Sequence, residues 1–143
     1  MTPEPNPEAT AVKGNPARSI LIVDDEPAVT ETLSIIFSRN GYQVRAAHSA
    51  EEAIEIIATW DPDLAILDVM LPGMNGIDLA VVLRDNRPAC RLILFSGHEH
   101  TQALMEESAK KGHMFEFLSK PVHPLFMLDF VSGLFSEVPK GTA

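Results

Sequence analysis

Apolar and polar positions along this chain fall into two alternating rhythms. Three short stretches are apolar almost without interruption and rich in branched side chains: "SILIV" at 19–23, "DLAILD" at 63–68 and "RLILF" at 91–95. Stretches of that length and kind predict strands buried on both faces. Between them the spacing is helical. Pro27 suits a first helical turn, Val29, Leu33 and Ile36 follow on one face, and Asn40-Gly41 supplies a stop. "YQVRA" at 42–46 alternates instead, which predicts a strand at a sheet edge. Ser49 and Glu52 form a capping-box pattern ahead of Ala53, Ile54 and Ile57. Asn75 and Asp78 cap a third helix that runs to about Arg84. A polar helix over 101–111 is stopped by Gly112, "MFEFL" at 114–118 predicts a fifth strand, and Pro124 opens a last helix that ends before Pro139.

Five strands alternating with five helices predict an α/β sheet covered on both faces. Ligands of such sheets sit beyond the carboxyl ends of the strands. The segment 1–17 carries Pro3, Pro5, Pro7 and Pro16 with few large apolar residues, so it is expected to be a disordered leader. The folded domain is expected over 18–138, with 139–143 a flexible tail. With so little after the last helix, the chain reads as a single-domain protein without an output domain.

Composition narrows the function classes. The chain has 143 residues, 45% hydrophobic and 22% charged, and a formal net charge of −9. That balance argues against nucleic acid or an anionic membrane as a direct partner, since both call for a basic patch. No apolar run approaches a membrane span, and the start lacks the basic and apolar regions of a signal peptide, so the cytoplasm is the expected location. The lone cysteine, Cys90, forms no intrachain disulfide and reads as a buried thiol.

The candidate chemistry lies at the strand ends. Strand one ends in Asp24 and Asp25, strand three in Asp68, strand four in Ser96, and strand five is followed by Lys120 and Pro121. Crowded carboxylates raise one another's pKa, so a chain that gathers them calls for a cation. Hard oxygen ligands suit Mg²⁺ or Mn²⁺. Asp25 and Asp68 are candidate direct ligands, and Asp24 a candidate holder of a bound water. A carboxylate also serves as a nucleophile toward phosphorus, and phosphoryl transfer needs mainly positioning and charge neutralisation. Lys120 and Ser96 fit the neutralising roles.

These residues carry a resemblance. The stretch from about Ser19 to Glu137 resembles a response-regulator receiver domain of two-component signalling. The acidic pair is Asp24-Asp25, the acceptor motif is "LDVMLPGMNG" with Asp68, the hydroxyl is Ser96 in "LFSGH", and the lysine is Lys120 in "FLSKP". The intervals are 43 residues from Asp25 to Asp68, 28 on to Ser96 and 24 on to Lys120. The resemblance implies a flavodoxin-like (βα)5 fold with sheet order 2-1-3-4-5. It implies Mg²⁺-dependent transfer of a phosphoryl group from a phosphohistidine to Asp68, with the Met70 carbonyl completing the metal site. The donor would be a histidine kinase or a histidine phosphotransfer protein, and the output a contact with a downstream target protein. Phe117 takes the switch-aromatic position, moving together with Ser96, and Pro121 the position of a cis peptide. Such a chain phosphorylates and dephosphorylates itself rather than turning over a small-molecule substrate.

Some positions sit less squarely in this picture. Met70 and His98 flank the site where side chains govern water's access to the acyl phosphate, and so the lifetime of the phosphoryl state. His48, His100, His113 and His123 show no metal-ligand spacing. The last helix, "LFMLDFVSGLF", is apolar on almost every side, where packing on one sheet face needs only a stripe. The surplus predicts a contact with a partner or a second copy, and the resemblance implies that such a contact would use the surface of helix four, strand five and helix five. Competing readings are weaker. A binding scaffold that takes no phosphate does not explain the intact acids, hydroxyl and lysine. Haloacid-dehalogenase-type phosphatases space their strand-one acids by one residue, whereas these are adjacent. No glycine-rich loop follows strand one to suggest a nucleotide fold.

Overall fold

A computed structural model describes residues 18–97, 101–112, 115–120 and 122–137. The expected leader and tail, His98, His100, His113 and Pro121 lie outside the described residues. Ten elements alternate along the chain: β1 (Ser19–Val23), α1 (Pro27–Arg39), β2 (Gln43–Ala47), α2 (Ala50–Ile57), β3 (Leu64–Asp68), α3 (Gly76–Asn86), β4 (Arg91–Gly97), α4 (Thr101–Lys110), β5 (Glu116–Lys120) and α5 (Pro124–Glu137). The strands form one sheet in the order β2-β1-β3-β4-β5, and every pairing is parallel. This is the flavodoxin-like arrangement expected, with each crossover made by a helix.

The continuous apolar runs still alternate in destination. Leu21, Val23, Ala65, Leu67, Leu92 and Leu94 join Ala53, Ile57, Leu79 and Leu83 of α2 and α3 in one core. Ile20, Ile22, Leu64, Ile66, Ile93 and Phe95 meet Leu33 and Phe37 of α1, and Met127 and Val131 of α5, in the other. A strand with helices on both faces has no polar side to show, so its period of two disappears from the hydropathy while remaining in the packing. β2 shows the opposite case: Gln43 and Arg45 are exposed between half-buried Val44 and Ala46, as an edge strand requires.

The helix ends follow local chemistry. The Ser49 side chain accepts the Glu52 N–H, while the Glu52 carboxylate accepts the N–H of His48 rather than that of Ser49. Asn75 accepts the Asp78 N–H as the cap of α3. Gly41, at φ +92°, provides the left-handed turn that ends α1.

Two expectations change. β5 lies two residues later than the "MFEFL" run suggests, because its limits follow the ladder with β4, from Ile93–Glu116 to Gly97–Lys120. Lys120 therefore ends the strand instead of following it. The apolar surplus of α5 is mostly absorbed by the monomer. Met127 and Val131 are fully buried, and Leu128, Phe130, Leu134 and Phe135 pack half-buried against the α1-side core. Leu125 and Phe126 remain exposed.

Candidate active site

β1 and β3 run side by side to the pair Val23–Leu67, so Asp24, just past β1, and Asp68, the last residue of β3 and opposite Phe95 of β4, come to the same rim of the sheet. The Asp24 N–H donates to the Ala47 carbonyl at 3.1 Å, which holds this corner against β2. The two carboxylates are buried, with Asp24 1% and Asp68 4% exposed, while Asp25 faces solvent. Ligand oxygens of Asp24, Asp25 and Asp68 all lie within 4.8 Å of one another.

Lys120 reaches this cluster from the far side of β4. Its Nζ donates to Asp24 Oδ2 at 2.8 Å and lies 3.3 Å from Asp68 Oδ2. Asp24 Oδ1 accepts the Glu26 N–H at 2.9 Å, and Asp68 Oδ1 accepts the Met70 N–H at 3.1 Å. Each buried carboxylate thus has one oxygen on a backbone amide and one facing the ammonium. Burial pushes the Asp68 carboxyl above its usual value, and the neighbouring Asp24 charge pushes the same way. Lys120 and the Met70 N–H pull it down without cancelling that rise. Burial alone would lower the Lys120 ammonium. Its hydrogen bond to Asp24, with the charges of Asp68 and Asp24, reverses the sign and leaves it raised.

The approach of α3 to Asp68 depends on Gly76. Its N–H donates to the Val69 carbonyl at 2.9 Å. A Cβ there would lie 2.8 Å from the Asp68 carbonyl carbon and the Val69 Cα, closer than real side chains come. A glycine is needed so that the helix can start against the strand end.

The remaining expected site residues are placed as follows. Ser96, wholly buried in β4, donates its hydroxyl to the Gly97 carbonyl at 3.2 Å. Phe117 sits in β5 opposite Leu94 and packs half-buried on the α2–α3 core. The Met70 side chain is 56% exposed, although its N–H engages Asp68. His98 lies outside the described residues. Two histidines given no role turn out to be structural ties: His48 Nε2 is 3.2 Å from Thr30 Oγ1, and His123 Nδ1 accepts the Leu125 N–H as α5 begins.

Sequence reasoning missed Glu26. Its Oε1 lies 3.7 Å from Lys120 Nζ, making it a third acid on that lysine. The available signal was a long acid standing where a helix start favours Asp, Asn, Ser or Thr. Glu26 and Lys120 also share the wall of a cavity of about 300 Å³ with Val29, Leu33, Phe95 and Val122.

Four strand ends of a 2-1-3-4-5 parallel sheet, carrying buried acids, a hydroxyl and a lysine, define a class of signalling domain. The response regulator receiver domain model matches residues 20–131, and the chain belongs to that family. It is 33% identical over 107 residues to the nitrogen assimilation regulatory protein NtrX of Azorhizobium caulinodans, covering 73% of this chain and 23% of that protein. The CheY-like receiver domain protein of Methanospirillum hungatei superimposes with a TM-score of 0.75 at 29% identity, covering 85% of this chain and 95% of that one. The response regulator TrrA of Thermotoga maritima, solved in complex with Mg²⁺-BeF, gives 0.69 at 28% identity, covering 82% and 98%. The aligned part of the chain spans only part of the length of these curated relatives, 23% of NtrX and 52% of the activator ExaE of Pseudomonas putida. None of the described helices is long and apolar enough to cross a membrane.

Proposed function

We propose that this chain is the phosphoacceptor of a two-component phosphorelay, taking a phosphoryl group from a phosphohistidine onto Asp68. The observation that carries this reading is the gathering of Asp24, Asp25 and Asp68 within 4.8 Å while Lys120 spans Asp24 and Asp68. The donor set consists of oxygens alone, two of the three acids are buried, and one faces solvent, which fits Mg²⁺ with retained waters. Asp24, Asp25, Asp68 and the Met70 carbonyl would hold that ion, and when bound it neutralises charge on a transferring phosphoryl group. That the Thermotoga relative was solved in complex with Mg²⁺-BeF supports Mg²⁺ as the ion.

The chain's own residues divide the rest of the work. An Asp68 carboxylate oxygen forms a bond to phosphorus as the phosphorus–nitrogen bond of the donor breaks, and the imidazole departs with the bonding pair. Burial makes Asp68 more basic than a free carboxylate, which favours its attack. The raised Lys120 stays charged and offers its ammonium to the phosphoryl oxygens. The Ser96 hydroxyl, now on the Gly97 carbonyl, turns to the incoming group, and Phe117 follows it inward. The surface of α4, β5 and α5 then changes its fit for a target protein or a second copy. Exposed Phe126, stacked on Phe130 with ring centroids 6.2 Å apart, belongs to that surface. Met70 and His98 would set the lifetime of the phosphoryl state.

Intact-mass measurement with Mg²⁺ and a small phosphodonor tests the reading. One added phosphoryl group is expected, lost in Asp68→Asn and prevented by chelation. A chain that gains no mass and binds no Mg²⁺ would be an interaction scaffold instead.

A further inference from the structure

Glu26 stands where α1 begins, yet its carboxylate does not serve the helix. Its backbone is extended (φ −96°, ψ 111°) and it makes no side-chain cap hydrogen bond. The residues that cap well place an oxygen closer to the backbone than glutamate does. The Glu26 carboxylate is 66% exposed and reaches toward Lys120 instead.

Inside the site no buried carboxylate oxygen is idle. Asp24 Oδ1 and Asp68 Oδ1 accept backbone N–H groups, and Asp24 Oδ2 and Asp68 Oδ2 face the ammonium. A divalent cation settling between Asp24 and Asp68 needs the oxygens that Lys120 holds. The two cations also repel at that range. Lys120 must then give ground. Of the three acids paired with Lys120, only Glu26 stands outside the carboxylate cluster. The cavity whose wall the two residues share gives the retreating amine room.

We propose that Glu26 is a positioning residue, which receives the Lys120 ammonium when a divalent cation takes Asp24 and Asp68. Glu26 thereby eases cation entry and keeps the ammonium at the edge of the site, ready for a phosphoryl oxygen. This inference rests on the cation-binding reading above.

Calorimetric titration of the full chain with Mg²⁺, without phosphodonor, tests it. Glu26→Gln is expected to weaken binding about twofold to fivefold, the range an exposed ion pair supports. Glu26→Asp separates reach from charge. The shorter acid keeps the charge but turns back to cap α1, so it raises the Tm while still weakening Mg²⁺ binding. In a Lys120→Met background, Glu26→Gln should no longer change the affinity, because no ammonium needs a place. Equal affinities for the unaltered, Gln and Asp chains would overturn the proposal. So would a Gln effect that persists undiminished without Lys120. If those results came with normal Mg²⁺ binding and phosphorylation by the unaltered chain, the phosphoacceptor reading would stand and only this inference would fall. Absence of Mg²⁺ binding by the unaltered chain would remove both.

Discussion

β1 and β3 deliver their acids from the most deeply buried part of the molecule, with four of five and five of five residues buried. β5, which delivers the lysine, has no buried residue, and its first position is exposed. Next to it, α4 buries only Ser108 among its described side chains, and that hydroxyl donates to the Met105 carbonyl of its own helix. One half of the site is thus set in the core, and the other rides on its lightly packed flank. Crowded carboxylates need a frame that keeps them from relaxing apart, which close-packed strands supply. A half that is to change shape under the proposed phosphorylation would need the reverse, since regions with few buried contacts rearrange at least cost.

The sharpest way to break this comparison is to cut equal amounts from each half. Leu67, fully buried beside Asp68, loses its packing in Leu67→Ala, with an expected cost of about 3–4 kcal/mol. Met105 on α4 is 44% exposed, so Met105→Ala should stay within about 0.5 kcal/mol. Urea unfolding of both variants reads the difference. Similar losses would mean that the flank is anchored as firmly as the core.

Gly76→Ala tests the acid half alone. The new methyl group meets backbone rather than a yielding side chain, so α3 must move off the end of β3. A loss of about 2–3 kcal/mol is expected, together with weaker Mg²⁺ binding as Asp68 shifts. Unchanged stability would show that the β3–α3 junction yields freely.

How far each half was legible in the sequence follows the same division. Asp24, Asp25 and Asp68 stand at the ends of runs so continuously apolar that the strands and their carboxyl ends are plain from the sequence. β5 is a half-buried edge, and its apolar residues alone misplace it by two positions. Its ladder with β4, a tertiary feature, decides. The sheet order was legible only through the family resemblance, because periodicity names strands without saying which are neighbours. Glu26 carried only its odd place at a helix start as a signal, because its partner Lys120 comes from the opposite end of the domain, and Asp24, which shares that partner, is 96 positions from it. The apolar surplus of α5 was legible but not its destination: hydropathy does not say that Met127 and Val131 go to the core while Leu125 and Phe126 stay exposed.

Charge gives a smaller effect with a definite pH dependence. Asp68 has a folded pKa above its unfolded value near 3.8. A raised carboxyl favours the fold most below the unfolded pKa, and that contribution is lost as pH rises through the folded pKa. Asp68→Asn is therefore expected to stabilise the metal-free chain at pH 7, on the order of 1 kcal/mol, with the gain vanishing toward pH 3. Thermal unfolding at a series of pH values checks this. Lys120 is raised as well, so its contribution holds below about pH 10.5 and fades only in stronger alkali. A gain from Asp68→Asn that persists at pH 3 would point to relieved packing rather than relieved charge.

The smallest change comes from Ser96, at the seam between the halves. Its hydroxyl is buried, and the hydrogen bond it makes is to the carbonyl of the next residue in its own strand. Removing donor and hydroxyl together leaves no orphaned group on the serine, so Ser96→Ala should cost less than about 1 kcal/mol. The functional consequence is expected to be larger. On the proposed function, loss of the hydroxyl should remove a donor from a phosphoryl group on Asp68, while Mg²⁺ affinity, expected to be set by the acid half, should stay the same. Intact-mass time courses and calorimetry on one variant separate the two quantities. A fall in Mg²⁺ affinity equal to the loss of phosphoryl occupancy would mean that β4 shapes the acid cluster too, and the division between the halves would fail at that strand.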